Sequence, residues 1–137
     1  MKKFVAVLLA AMLCLSFAAC GGDKATDKTV DAAAMFQALL TDVTYTDNAT
    51  ELDSSMAGVL LGGELPDGTE AYLAANDSAY LRCAVFACKD KDAAAAVKKL
   101  IQTYIDDSID AKYNVDEVAL LQNAKIHSMG NYVAVAV

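Results

Sequence analysis

The chain has one histidine, one proline and no tryptophan in 137 residues. Each shortage removes a class of chemistry. A lone imidazole, His127, with no cysteine beside it in a ligand motif, excludes a zinc site of conventional composition. No GxSxG elbow presents a nucleophilic serine. Gly62-Gly63 leads into no Lys-Ser/Thr element, so no glycine-rich phosphate loop is present. Basic residues are also scarce, with 11 Lys and Arg against 18 Asp and Glu. A polyanion needs a cationic face to displace its counterions, so nucleic acid is not an expected partner. No cofactor and no catalytic constellation is expected.

What the sequence does have begins at its N-terminus. Met1-Lys2-Lys3 precedes an uncharged apolar run from Phe4 to Ala19, which reads as a signal peptide. The run is shorter than the ~20 apolar residues that a membrane-spanning helix wants. Ala18-Ala19-Cys20-Gly21 then resembles a bacterial lipobox. The expected organisation is a removed leader over 1–19, a lipidated Cys20 with a polar tether over 20–28, and one domain over 29–137. By that resemblance the Cys20 sulfur carries a diacylglycerol thioether, with two fatty acyl chains such as palmitate. One chain gives marginal membrane binding and two hold stably. The protein is therefore expected on the extracytoplasmic side of the cell membrane, held by lipid. Its partners would be that membrane and an envelope protein or peptide.

The leader takes Lys2 and Lys3 with it, leaving nine basic side chains against 18 acidic ones. A domain so acidic is repelled by anionic headgroups, which leaves the lipid as its source of membrane affinity. With Cys14 in the leader and Cys20 acylated, Cys83 and Cys88 remain. Five residues apart on an extended strand, their α-carbons would be ~17 Å apart, beyond the ~7 Å that a disulfide spans. They are expected as free thiols among core side chains.

Apolar periodicity predicts the elements. Ala32, Met35, Phe36, Leu39, Leu40 and Val43 form a helical stripe with Asp31 or Thr29 as cap. Ser54-Ser55 caps a short helix that Gly62-Gly63 stops. Strands are expected over 69–75 and 80–88, joined by Asn76–Ala79, the second nearly all apolar apart from Arg82. Val97, Leu100, Ile101, Tyr104, Ile105 and Ile109 mark a long amphipathic helix opened by Asp90 or Asp92. Asn114 and Glu117 have capping-box spacing for a short helix. Gly130-Asn131 is a two-residue turn of the II′ kind closing a final hairpin, in which Ile126 faces Val135, Ser128 faces Val133, His127 faces Ala134 and Lys125 faces Ala136. The expected fold is α+β, a two-layer sandwich in the order ααββααββ. An antiparallel sheet of about four strands would carry its helices mainly on one face.

The stretches "FQALLTDVTYTD", "CAVFACKDKDAAAAVKKLI" and "YNVDEVALLQNAKIHSMGNYVAVAV", behind a lipobox leader, resemble the bacterial lipoprotein family DUF4358. The resemblance covers the mature domain. It implies location and fold class, and because the family has no established activity it carries over no site residue.

Two candidate sites remain. Asp106, Ser108, Asp110, Asn114 and Glu117 fall at positions 1, 3, 5, 9 and 12 of an EF-hand-like frame, with Ala111 where the turn needs Gly. Asp106, Asp110 and Glu117 are thus weak calcium candidates, and a calcium-dependent module or enzyme is the alternative to a non-enzymatic binding module. Tyr72, His127 and Tyr132 are the candidates for a binding surface on an uncovered sheet face.

Overall fold

A computed structural model of the chain describes residues 31–45, 47–111 and 115–137. The expected signal peptide, Cys20 and the tether lie outside these residues, as do Thr46 and Lys112–Asn114. The elements, in chain order, are α1 (Ala32–Asp42), β1 (Thr50–Leu52), α2 (Met56–Leu61), β2 (Glu70–Ala75), β3 (Leu81–Ala87), α3 (Lys91–Ala111), α4 (Val115–Gln122), β4 (Lys125–Met129) and β5 (Tyr132–Ala136). The fold is α+β, and its strands form one antiparallel sheet in the order β1-β2-β3-β5-β4. The sheet has five strands where about four were expected. The addition is β1, three residues that pair with Ala75, Ala74 and Leu73 of β2.

Two helices open on an aspartate cap, whereas the expected Ser54-Ser55 cap of α2 makes no side-chain cap bond and Ser55 Oγ donates instead to Asp53 Oδ1 at 2.6 Å. Asp31 Oδ1 accepts from Ala34 N at 3.1 Å to open α1, and Asp90 Oδ1 accepts from Ala93 N at 2.8 Å to open α3. Both satisfy an N–H that the helix leaves without an internal partner. α2 ends at Gly62, whose φ of 72° is left-handed, and Gly63 N then donates back to Gly58 O at 3.0 Å. In the final hairpin Gly130 has a φ of 59° and Asn131 is not left-handed, the signature of the expected II′ turn. The register of β4 on β5 is the expected one at every position.

β3 lies at the centre of the sheet, and all but the last of its residues are buried. Its side chains divide between two cores. Leu81, Ala84 and Phe86, with Leu73, Val133 and Val135, meet Ala57 and Leu61 of α2, Ala93, Ala94, Val97, Ile101 and Ile105 of α3, and Leu121 of α4. Cys83 and Val85, with Ala74 and Ala136, meet Ala32, Phe36 and Leu39 of α1 on the opposite face. Three helices therefore cover one face, as expected. The fourth covers part of the other face, which two-layer packing would have left open. α1 goes there because Phe36 and Leu39 are large enough to need a sheet surface, at ~1.5–3 kcal/mol per buried side chain.

The β2–β3 hairpin contains an irregularity with consequences for the site. Ala74 pairs with Cys83 but Ala75 pairs with Leu81, so Arg82 is an extra residue with no partner across the pair. The bulge lets Leu81 face the α3 core while Cys83 faces α1. The loop also holds Ala79 at a φ of 62°, the one described residue other than glycine in that region. A left-handed alanine costs ~1–2 kcal/mol, and glycine returns ~0.5–1 kcal/mol of that as lost chain entropy. Ala79→Gly is expected to raise the melting temperature by about 2–5 °C in calorimetry.

Candidate functional site

Arg82 is 1% exposed and Glu117 5%. A guanidinium enters such surroundings only with its donors satisfied. Nη1 and Nη2 each donate to Glu117, to Oε1 and Oε2, at 2.7 Å. Nε and Nη2 donate to Asp47 Oδ1 and Oδ2 at 2.7 and 2.8 Å, and Nη1 also donates to Leu81 O at 3.2 Å. Asn76 Nδ2 adds a 2.7 Å bond to Asp47 Oδ2. Two bidentate pairs thus share one planar fork. They tie the α1–β1 connection, the bulge of β3 and helix α4 together.

Electrostatics follow from this arrangement. Burial alone would lower the Arg82 pKa, but the bonds and charges of Asp47 and Glu117 outweigh it and push the value above its ordinary range. The bond from Arg82 is the first cause of holding the Asp47 carboxyl down at about 2, with Asn76 helping and burial opposing. The cluster is a strut in which two carboxylates share one guanidinium. Sequence reading missed it as a site, although a lone arginine in a continuous apolar strand demands a partner.

The calcium candidates are not brought together. Asp106 and Asp110 are exposed on α3, and Gln102 Nε2 donates to Asp106 Oδ1 at 3.0 Å. Glu117 is turned instead to Arg82. Asn114, the ninth position of that frame and the expected capping partner of Glu117, lies outside the described residues. Among the described residues no group of three or more His, Cys, Asp or Glu is placed to hold a metal ion. Cys83 and Cys88 are free and buried, and burial pushes the Cys83 thiol up to about 11. Such a thiol stays protonated and unreactive near neutrality.

Tyr72, His127 and Tyr132 do share a face. Tyr72 pairs with Val85, Val85 with Ala134 and Ala134 with His127, so a single row crosses β2, β3, β5 and β4. The next row on that face runs Glu70, Ala87, Tyr132, Met129. This is the α1 face, so it is not wholly uncovered. α1 packs chiefly on β3 and β2, and Phe36 lies against Tyr72 with ring centroids 6.2 Å apart. Over the β5–β4 half, Tyr132, Ala134, His127 and Met129 each keep part of their surface exposed. Ala87 and Ala134 are the small residues of these two rows.

No match was found among curated proteins or among solved structures. The model of a domain of unknown function, DUF4358, matches residues 66–137, which span β2 to β5 with α3 and α4. That stretch is just over half of the chain, and the chain belongs to the DUF4358 family.

Proposed function

We propose that the protein is a lipid-anchored, extracytoplasmic module of the cell envelope that binds a protein or peptide and catalyses no reaction. The anchor rests on Met1–Cys20, where a basic start, a short apolar run and Ala-Ala-Cys-Gly stand in order. No described helix is long and apolar enough to cross a membrane. The observation that carries the binding reading is the half-open sheet face. Tyr72, His127 and Tyr132, chosen from the sequence as one surface, occupy neighbouring rows of it. Tyrosine gives large contact area at low entropy cost and keeps a polar tip for hydrogen bonding.

Cys20→Ser is the first test. Nearly all of the unsubstituted chain is expected in the membrane fraction, and nearly all of the variant in the soluble fraction or the medium. Mass spectrometry of the unsubstituted protein should find an N-terminal acylated cysteine; an intact leader with a bare thiol at residue 20 would remove the anchored reading. For the face, a photo-crosslinking amino acid replacing Tyr132 should give a discrete adduct in intact cells. The same probe replacing Val59, 73% exposed on α2, should give none.

A further inference from the structure

The two edges of the sheet are not alike. β1 has three residues, and Glu51 and Asp53 lie along or beside it. Short length and charge of one sign are devices that keep an edge from pairing with another chain. β4 has five residues in unbroken register, without proline or bulge, no acidic side chain, and one lysine, Lys125 at its start. It carries none of those devices except that lysine.

The hydrogen-bond phase of β4 can be read from β5. Asn131 O accepts from Cys88 N and Val137 N donates to Arg82 O, both at 2.8 Å. Odd-numbered residues of β5 therefore aim their backbone groups at β3, and Tyr132, Ala134 and Ala136 aim theirs at β4. Their register partners are Met129, His127 and Lys125. Alternation then turns the N–H and C=O of Ile126 and Ser128 outward, at the edge of the sheet.

We propose that β4 is the pairing edge for a second copy of this chain, antiparallel across a twofold axis at His127. Ile126 of one copy then exchanges both backbone bonds with Ser128 of the other, and the symmetric pair does the same. Lys125 falls opposite Met129 of the second copy, so the two lysines stand ~14 Å apart along the strand direction. Lysine is therefore not set against lysine. The β1 edge would instead bring acidic residues against acidic residues, which is unfavourable. Pairing also joins the two half-open faces, so that His127, Tyr132, Ala134 and Met129 of both copies form one surface. The inference enlarges the face of the proposed function, and it rests on the anchored reading for its concentration, since copies confined to one membrane meet as though tethered.

His127 faces its counterpart as a non-hydrogen-bonded pair, with α-carbons ~4.5 Å apart, inside the range that a disulfide spans. Full-length His127→Cys, oxidised in its own membrane, is expected to run mostly as a dimer on a non-reducing gel. Cys83 and Cys88 are buried and the unsubstituted chain should stay monomeric. Lys125→Cys alone should crosslink at least tenfold less, and Lys125→Cys combined with Met129→Cys in one chain should restore the dimer. A monomeric His127→Cys chain together with a monomeric double variant would overturn the proposal. So would equal dimer from Lys125→Cys alone, which signals random collision, or a His127→Cys adduct of another mass, which signals a foreign partner. Failure here with an adduct to another protein at Tyr132 leaves the binding reading intact, and fractionation of the same samples reports the anchor separately.

Discussion

Arg82→Met should destabilise the fold by about 3–5 kcal/mol, because it removes the shared cation of a buried charge cluster while its two carboxylates remain. The buried carboxylate most affected is Glu117, 5% exposed, which loses both bonds from the guanidinium. Methionine restores much of the volume, so the loss is chiefly electrostatic. Urea unfolding of the purified protein should show the midpoint falling by about 2 M, given slopes of ~1–3 kcal/mol/M for small proteins. Adding Glu117→Leu should recover more than half of the loss, since apolar replacements of whole buried pairs are often neutral or better, and the double-mutant cycle isolates the coupling. A loss under ~1 kcal/mol would mean that the strut contributes little. The network also sets an acid limit. Asp47 is held down to about 2 in the fold against ~3.9 unfolded, so its contribution is present above pH ~4 and is lost as pH falls through 2. In Arg82→Met that stretch of the stability profile should flatten.

The parts of this fold that sequence disclosed are those specified locally. The α3 stripe repeats on one helical face for about five turns, and Val97, Ile101 and Ile105 are buried as that period requires. The β4–β5 register followed from one turn, because two residues between strands leave one pairing. β1 was not disclosed. Three residues in a polar stretch have no periodicity of their own and become a strand only because β2 offers an edge.

The site divides in the same way. Alternation and one turn put His127 and Tyr132 on one face before any packing was known, and the pairing of β2 with β3 and of β3 with β5 brings Tyr72 to the same face. Nothing in that alternation told which helix would cover the face. The strut was less legible still, since Asp47 and Glu117 each lie 35 residues from Arg82 along the chain. Only the burial of Arg82 pointed to partners, and the bulge that frees it from the sheet comes from a mismatch of one residue between two strands. Pair chemistry over such separations is set by topology and not by spacing.

Phe36→Ala tests the least anticipated feature, the helix on the second face. Phe36 is fully buried and packs with Leu39, Val43, Cys83 and Val85. An 11-residue helix is marginal by itself in water, so α1 holds its conformation through this contact and through Tyr45, whose hydroxyl donates to Leu39 O at 2.8 Å. Truncation removes the ring and leaves a cavity that Tyr72 cannot fill, at about 3–5 kcal/mol. Hydrogen exchange should localise the loss: amides of α1 and β2 lose protection well before those of α3, whose core lies across the sheet. Val59→Ala, at a position 73% exposed, should change stability by no more than about 0.5 kcal/mol. If Phe36→Ala costs less than ~1 kcal/mol, or α1 and α3 lose protection together, then α1 does not form a separate core on the β2–β3 half of the sheet. The boundary of the open face beside Tyr132 and His127 would then have to be redrawn.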